Sequence, residues 1–196
     1  MPKDKYKTFY ERTYELNFRS HWPQVHNNIF FTNGLLDKSC NSFKPILELI
    51  DQDGKIIDLG CGNGLLLKYL VDHSQYILVP IGIDFIAASI KQGLELVFPS
   101  NKNVLFHKNI VDYDFKQGPF SFILTSPSYL HIDHLDKFLL KCFKNLKKGG
   151  KIILQLFSDN QKPYLSKKHL AIYKKHGFQE YNNPHTNNLI MYSIKR

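Results

Sequence analysis

The residues with the clearest capacity for chemistry lie in a glycine-rich segment, Lys55–Gly64, with the sequence KIIDLGCGNG. An apolar run ends in Asp58, glycines follow at positions 60, 62 and 64, and a helical pattern, LLLKYLVD, begins at once. Glycines allow a tight turn and the close approach of a ligand to the backbone. The N-terminus of the helix that follows would point free amides at that ligand. The spacing is G-x-G-x-G, which differs from the G-x-G-x-x-G of dinucleotide-binding proteins.

Two carboxylates accompany this loop. Asp58 stands two positions before the first glycine, so its charge would repel a pyrophosphate and suit a ligand that carries an ammonium group. Asp84 ends the next apolar run, 24 residues after Gly60, and a carboxylate at that place can accept hydrogen bonds from both hydroxyls of a ribose. The loop and the two acids together predict a pocket for an adenosine that bears a positively charged amino-acid tail.

These residues resemble the class I S-adenosylmethionine-dependent methyltransferases, and the resemblance covers roughly residues 45–196. Four segments carry it in order. Asp58–Gly64 resembles the family's first motif, and Gly82–Asp84 resembles its ribose-binding strand. Lys108–Phe115 resembles the segment that packs on adenine, and Leu146–Lys151 resembles the turn before the fifth strand. The resemblance implies that the cofactor is S-adenosylmethionine and the product S-adenosylhomocysteine.

The same resemblance implies a set of cofactor-binding residues: Asp58, Gly60, Cys61, Gly62, Gly64, Asp84, Phe85, Asn109, Ile110 and Thr125. Asn109 departs from the pattern, because the family often has Asp there to accept from the adenine amino group. The amide oxygen of Asn109 can still accept. Ile110 would supply a backbone amide and an apolar contact, and Cys61 is small enough to serve as a packing residue inside the loop.

The segment TSPSYLHIDH, residues 125–134, leaves two interpretations of the methyl acceptor open. In the first, Tyr-Leu-His-Ile is similar to a stretch of small-molecule methyltransferases, and His131 acts as general base or orients the acceptor beside Tyr129; His134 is an alternative. In the second, Thr-Ser-Pro-Ser-Tyr resembles the Ser/Asn/Asp-Pro-Pro-Tyr motif of enzymes that methylate exocyclic amines. Ser128 stands where the second proline belongs, so we favour the small-molecule interpretation.

The N-terminal residues 1–44 are predicted to form a helical cap over the cofactor and acceptor site, and residues 45–196 to form the methyltransferase core. Tyr6, Tyr10 and Tyr14 recur at helical spacing and give one aromatic stripe. Ordinary packing of that stripe on the core is the alternative. The expected acceptor-binding residues are Tyr10, Tyr14, Arg19, Trp22 and Ser126.

Strand-like and helix-like runs alternate after residue 45, which predicts βαβ units and a mostly parallel sheet. The predicted strands are Lys55–Leu59, Ile77–Asp84, Val104–Lys108, Ser121–Thr125, Lys151–Phe157, Phe178–Tyr181 and Leu189–Ile194, and the last two form an antiparallel edge hairpin. The predicted helices are Leu65–Asp72, Ile86–Phe98, Asp133–Leu146 and Tyr164–His176, and Pro45 is expected to open a further helix. With the resemblance, the fold class is α/β: a three-layer, seven-stranded Rossmann-like methyltransferase fold with an N-terminal helical cap. The segment between the third and fourth strands is too short for the usual helix.

The net charge of +9 is unevenly distributed. The Lys-rich C-terminal third, residues 137–196, holds 13 basic and 2 acidic side chains, a balance of +11. Lysines 137, 141, 144 and 148 form a stripe on one helix, which is either a solvated face or a docking site for nucleic acid or an acidic carrier protein. Three widely spaced cysteines suggest a reducing compartment, the cytoplasm. No apolar run is long enough to span a membrane. A metal site is not expected at His131, His134, Asp133 and Asp136, because no separate third ligand with clear spacing accompanies them.

Three functions follow from this pattern. The favoured one is a cytoplasmic S-adenosylmethionine-dependent methyltransferase that acts on a small-molecule acceptor. The second is an N-methyltransferase that acts on a nucleobase or a protein amine. The third is a non-catalytic cofactor-binding module, against which the intact loop and both acids argue.

Overall fold

The computed structural model describes residues 43–127, 132–156, 158–159, 162–163, 166–182 and 189–196. The strands are β1 (Gly54–Leu59), β2 (Leu78–Asp84), β3 (Leu105–His107), β4 (Phe120–Thr125), β5 (Leu146–Leu156), β6 (Ser158–Asp159), β7 (Lys162–Pro163), β8 (Gln179–Tyr181) and β9 (Leu189–Ile194). The helices are α1 (Leu65–His73), α2 (Ala87–Gln92), α3 (Ile132–Lys144) and α4 (Lys167–Lys175). A π-helix, Gly93–Val97, continues α2.

Seven of these strands form a single sheet in the order β3-β2-β1-β4-β5-β9-β8. The pairs from β3 to β5 are parallel, whereas β9 pairs antiparallel with both β5 and β8. The strand order reverses between β1 and β4, and in open α/β sheets such a reversal creates a ligand crevice at the carboxyl ends of the strands. The predicted parallel sheet with an antiparallel edge hairpin is confirmed.

The central strands are mostly apolar and buried because both faces of the sheet are covered. All six residues of β4, FSFILT, are buried. Helix α3 buries Leu135, Phe138, Leu139 and Cys142 on one side, which leaves its lysines on the outside. The alternation of apolar runs that suggested βαβ units therefore reflects the core directly.

Three predicted boundaries were wrong. The predicted helix Ile86–Phe98 divides into α2 and the π-helix. Helix α3 ends at Lys144, and Leu146 already pairs with Phe120 in the sheet. The next pair of residues along β4 and β5 is Phe122 with Lys151. Residues 147–150 therefore make an excursion from the β4 pairing within β5, at the place of the predicted turn. Pro45 does not open a helix, because residues 43–48 are already helical.

The connection between β3 and β4, residues 108–119, contains no helix, as predicted. Tyr113 and Phe115 are each 2% exposed and join the core cluster with Phe120. Two aromatic rings of the loop therefore fill space beside the sheet that a helix would otherwise cover.

The edge of the sheet at the amino ends of β1, β4 and β5, here called the amino rim, is held by side chains that bond to backbone. Lys55 Nζ donates to the Gln117 carbonyl at 2.7 Å, and Ser121 Oγ donates to the Asp53 carbonyl at 3.0 Å. Lys151 Nζ donates to the Leu49 carbonyl at 2.9 Å and lies 2.7 Å from an Asp51 carboxylate oxygen. No helix in the described part of the chain is long and apolar enough to cross a membrane.

Candidate functional site

The glycine-rich loop joins β1 to α1 at the switch point of the sheet. Gly60 and Gly62 have φ angles of 97° and 56°, a conformation that side chains with a Cβ disfavour. A Cβ placed on either glycine would meet no atom of the described residues within 4 Å. The loop therefore presents two bare backbone positions to open space, where a ligand can approach closely.

The amides of this loop are used within the protein. Those of Gly60 and Cys61 donate to the Ile83 carbonyl at 2.8 and 3.1 Å, and that of Gly62 donates to Asp84 Oδ2 at 2.8 Å. The Gly64 amide donates back to the Cys61 carbonyl at 2.9 Å. The predicted free amides are those at the N-terminus of α1, whereas the amides of Gly60, Cys61 and Gly62 are bonded to the end of β2. The loop is thereby fixed, and its two flanking carboxylates become the polar groups that can hold a ligand.

Asp58 is the last but one residue of β1, paired with Gly82 on one side and Leu124 on the other. Its side chain is 6% exposed, and its carboxylate accepts no hydrogen bond and forms no ion pair within the described ranges. Burial and, to a smaller extent, the nearby charge of Asp84 together raise its pKa from 3.8 to about 7. A buried carboxylate without a partner is expensive for the fold, and a cationic ligand would supply the missing partner.

Asp84 lies at the tip of the neighbouring strand and is 5% exposed. Its Oδ2 accepts from the Gly62 amide and its Oδ1 accepts from the Ile86 amide, both at 2.8 Å. Burial raises the pKa of Asp84, although these backbone donors and the nearby His107 oppose the rise. Each carboxylate oxygen keeps a second lone pair, so Asp84 can fix the loop and still accept from a ligand's hydroxyl groups.

Two further predicted residues have structural partners at this edge. Thr125 Oγ1 donates to the Leu59 carbonyl at 3.0 Å and is buried, so its hydroxyl joins the ends of β4 and β1. The half-buried Phe85 follows Asp84, and its carbonyl accepts from His107 Nε2 at 2.9 Å. Cys61 is 8% exposed, and a Cβ on Gly82 would lie 2.7 Å from its sulfur. The side chain of Cys61 therefore packs under the loop.

The predicted adenine segment lies after β3. Asn109 is exposed, and its Oδ1 accepts from the Val111 amide at 3.0 Å, which forms an Asx turn. The Ile110 side chain is half-buried against the core. The second lone pair of Asn109 Oδ1 and the amide NH2 group keep hydrogen-bonding capacity toward a planar base.

The predicted acceptor residues are only partly described. Ser126 is half-buried and directly follows Thr125 at the carboxyl end of β4. His134 is exposed in the first turn of α3. The remaining predicted catalytic and acceptor residues, Tyr129, His131, Tyr10, Tyr14, Arg19 and Trp22, lie outside the described residues, so their roles stay predictions.

Sequence reasoning did not assign two residues that bear on the site. Asn63 is 6% exposed, and its Nδ2 donates to Gln92 Oε1 at 3.2 Å. His107 holds the Phe85 carbonyl. The sequence offered one signal for the contact of Asn63 with the end of α2. Gly93 lies inside a helical pattern, and such a glycine often marks a close approach of backbone. His107 offered no such signal.

A family model described as a methyltransferase domain matches residues 36–189. The chain belongs to this methyltransferase family. Its fold is that of the class I methyltransferases, whose methyl donor is S-adenosylmethionine. A search of curated proteins finds no match.

Solved structures of other methyltransferases share the fold at low sequence identity. The N-methyltransferase NodS from Bradyrhizobium japonicum WM9, in complex with S-adenosyl-L-homocysteine, matches with a TM-score of 0.64 and 12% identity over 91% of this chain and 98% of that chain. The magnesium protoporphyrin IX methyltransferase from Synechocystis PCC 6803, with bound S-adenosylmethionine, matches with a TM-score of 0.61 and 11% identity over 95% of this chain and 97% of that chain. An rRNA methylase from Streptococcus thermophilus matches with a TM-score of 0.56 and 14% identity over 81% of this chain and 96% of that chain.

The residues of this methyltransferase fit its cofactor by their own chemistry. Asp58 is a carboxylate with no partner among the residues that the structure describes, and it is suited to an ammonium group. Gly60 and Gly62 are open on the side where a Cβ would project. Asp84 retains acceptor capacity for hydroxyl groups. These three features lie within one loop and two adjacent strand tips, and they are what an adenosine with an amino-acid tail requires.

Proposed function

We propose that this methyltransferase transfers the methyl group of S-adenosylmethionine to a small-molecule acceptor in the cytoplasm. The observation that carries the proposal is the buried Asp58 carboxylate, which has no partner within the described residues, beside the open faces of Gly60 and Gly62. The described cysteines, Cys61 and Cys142, are free thiols, which supports a reducing compartment.

The roles of the chain's residues follow from their positions. Asp58 binds the ammonium of the cofactor's amino-acid end, and Asp84 binds the ribose hydroxyls. Asn109 and Ile110 contact the adenine, with Phe85 beside them. When bound, S-adenosylmethionine supplies a methyl group on a sulfonium centre, which is already an activated leaving group. The protein therefore has mainly to align the acceptor and exclude water.

The acceptor assignment depends on the segment after β4 and on the N-terminal cap. In this proposal Ser126, Tyr129, His131 and the cap side chains Tyr10, Tyr14, Arg19 and Trp22 shape the acceptor pocket. Ser128 in place of a second proline disfavours the motif of exocyclic-amine methylation. Among the structural neighbours, the magnesium protoporphyrin IX methyltransferase is named for a small-molecule acceptor, and it aligns with nearly the whole of this chain.

A second function, N-methylation of a nucleobase or a protein amine, is supported by one observation. Ser126 stands half-buried directly after the carboxyl end of β4, which is the place of the polar residue that accepts from an exocyclic amine in the motif it resembles. The structural neighbour named as an rRNA methylase supports an RNA acceptor on this architecture. The Lys-rich C-terminal third would then attract the nucleic acid.

Calorimetric titration with S-adenosylmethionine and S-adenosylhomocysteine tests the cofactor part of the proposal. We expect micromolar dissociation constants for both ligands and no binding of NAD, which serves as the control. Absence of binding by either sulfur ligand would contradict the assigned pocket and favour a non-catalytic module.

Transfer of a tritiated methyl group into a cell extract tests the acceptor part. Incubation with labelled S-adenosylmethionine should place the label in a new compound that passes a membrane with a cut-off of about 3 kDa and that chromatography separates from the unreacted cofactor. Label retained above the membrane and released by ribonuclease would support the nucleic-acid alternative. Retained label released by protease would support a protein amine.

A further inference from the structure

The helix after β2 changes its winding where it meets the cofactor loop. Helix α2 ends at Gln92, and residues Gly93–Val97 form a π-helix in which the Phe98 amide donates to the Gly93 carbonyl at 2.8 Å. Lys102 Nζ donates to the Leu94 carbonyl at 2.7 Å and so satisfies a carbonyl of the widened turn. Such π-segments are rare and are frequent at functional sites.

The widened turn brings Gly93 against the loop. A Cβ on Gly93 would lie 2.3 Å from the Asn63 carbonyl oxygen and 2.9 Å from its carbonyl carbon, which is far inside van der Waals contact. A Cβ on Gly64 would lie 3.1 Å from Phe98 Cε2. Both ends of the π-helix therefore touch the loop, one at Asn63 and the other at Gly64.

A side-chain bond reinforces this contact. Asn63 Nδ2 donates to Gln92 Oε1 at 3.2 Å, and Asn63 Oδ1 accepts from the Leu65 amide at 3.3 Å. Asn63 is 6% exposed and Gln92 is half-buried, so both bonds are partly shielded from water, which strengthens them. One side chain thus joins the loop, the start of α1 and the end of α2.

The backbone of Gly93 gives no local reason for a glycine. Its φ and ψ angles of −61° and −43° are those of a right-handed helix, where alanine is the better helix former. A Cβ there would lie 2.3 Å from the Asn63 carbonyl oxygen and 2.4 Å from Leu105 Cδ1, so these two tertiary contacts exclude a side chain. The Leu105 side chain can change its rotamer, whereas the Asn63 carbonyl is backbone. Asn63 directly follows Gly62, so a displacement of Asn63 strains the bonds by which the loop amides are held to Ile83 and Asp84.

We propose that Gln92 and Gly93 are positioning residues that set the conformation of the cofactor loop, and hence the affinity for the cofactor, without touching the cofactor themselves. This inference rests on the proposed function, since it assumes that the loop binds S-adenosylmethionine. A methyl group at position 93 displaces Asn63, and with it the loop whose amides are fixed by Ile83 and Asp84.

Calorimetry with S-adenosylhomocysteine on four variants tests the inference, with the melting temperature measured in parallel. Gly93→Ala should raise the dissociation constant tenfold or more, and Gln92→Leu about fivefold. Gln92→Glu keeps an acceptor oxygen for Asn63 and should restore affinity to within threefold of the wild type. Lys91→Leu is the matched control, because Lys91 lies on the same helix with its side chain 78% exposed, and it should bind as the wild type does.

The outcomes separate this inference from the function on which it rests. A wild type that fails to bind the ligand overturns the proposed function and the inference together. A wild type that binds, with Gly93→Ala and Gln92→Leu binding equally well, overturns the inference alone. Equal affinity with a lower melting temperature assigns the two residues a structural role only. If Gly93→Ala does not fold, the comparison of Gln92→Leu with Gln92→Glu decides.

Discussion

The Asp58 carboxylate is buried at the tip of β1 without a protein partner in the described residues, and its pKa is raised from 3.8 to about 7. Between these two pH values the folded protein keeps a proton that the unfolded chain has released. The free energy of unfolding therefore falls as the pH rises through this window, and the loss is complete above about pH 7. A pKa rise of this size corresponds to about 4 kcal/mol at most.

Replacing Asp58 by asparagine should increase stability while removing function. For Asp58→Asn at pH 8 we expect the free energy of unfolding to rise by about 2 kcal/mol, because a neutral amide avoids burial of a charge, whereas affinity for S-adenosylhomocysteine should fall at least tenfold. Urea unfolding and calorimetry measure the two effects. The gain should disappear at pH 5, where the wild-type carboxyl is already protonated.

Asp112→Asn is the control for that substitution, because Asp112 is exposed. It should change neither stability nor affinity at either pH. An Asp58→Asn protein that is less stable than the wild type at pH 8 would show that the carboxylate has a favourable partner.

The same carboxyl predicts the pH dependence of cofactor binding. An ammonium group binds the ionised form of Asp58, so binding below about pH 7 must first release a proton. The affinity for S-adenosylhomocysteine should therefore fall below pH 7, by up to about tenfold per pH unit. Adenosine lacks the ammonium group and is the matched control ligand. Calorimetry from pH 5.5 to 8.5 should give parallel curves if the assignment of Asp58 is incorrect.

The two acids were predictable because their positions relative to the glycines follow from chain order alone. The acceptors to which the loop amides donate were not predictable. The Ile83 carbonyl and Asp84 Oδ2 reach the loop only after β2 pairs beside β1. The contact of Asn63 with Gly93 is likewise tertiary: Gly93 signals a close approach of backbone, but its partner is set only by the fold.

At the scale of elements, strands were easier to predict than the ends of helices. The runs at Lys55–Leu59 and Leu189–Ile194 are apolar or alternating and are bounded by turn residues, so β1 and β9 agree with prediction within a residue. The hydrophobic pattern of Ile86–Phe98 continues without interruption across Gln92, so it carries no sign of the change to a π-helix. Leu146 satisfies the periodicity of α3 although it belongs to β5.

The junction between β5 and the residues before β1 can be tested through Lys151, whose side chain is only 9% exposed. Lys151→Met should lower the free energy of unfolding by about 1–3 kcal/mol, because the Leu49 carbonyl loses its donor and Asp51 its ion pair. Urea denaturation measures the change. The dissociation constant for S-adenosylhomocysteine should stay within twofold of the wild type, because Lys151 belongs to the amino rim.

Lys148→Met serves as the comparison, since Lys148 is exposed in the excursion of β5. It should leave stability unchanged. Equal destabilisation by both substitutions would mean that lysine charge in general, and not the bond to Leu49, stabilises the fold.

At the scale of the whole molecule, the basic charge of residues 137–196 is partly consumed by the fold. Lys141, Lys175 and Lys195 each donate to an acceptor elsewhere in the protein: the Val111 carbonyl, the Asp136 carboxylate and the Leu146 carbonyl. Lys151 does the same at the amino rim. Cations that are held in this way are poorly placed to track a phosphate backbone.

We therefore expect weak binding to nucleic acid. Titration of a fluorescent tRNA mixture at 150 mM salt should show no saturation below about 10 μM protein. A steep fall of affinity with salt, starting from tight binding at 50 mM, would instead indicate several phosphate contacts. That result would move nucleobase methylation ahead of a small-molecule acceptor.

The amino rim and the opposite edge of the sheet have different roles: the first stabilises the fold and the second carries the candidate site. Lys55, Ser121 and Lys151 join backbone segments at one edge, while Asp58 and Asp84 stand at the other. A protein engineer could therefore stabilise the enzyme at the first edge without altering turnover. Natural drift toward a new acceptor could similarly vary the residues around Ser126 at the second edge, provided that Asp58 and Asp84 are kept, while the first edge preserves the scaffold.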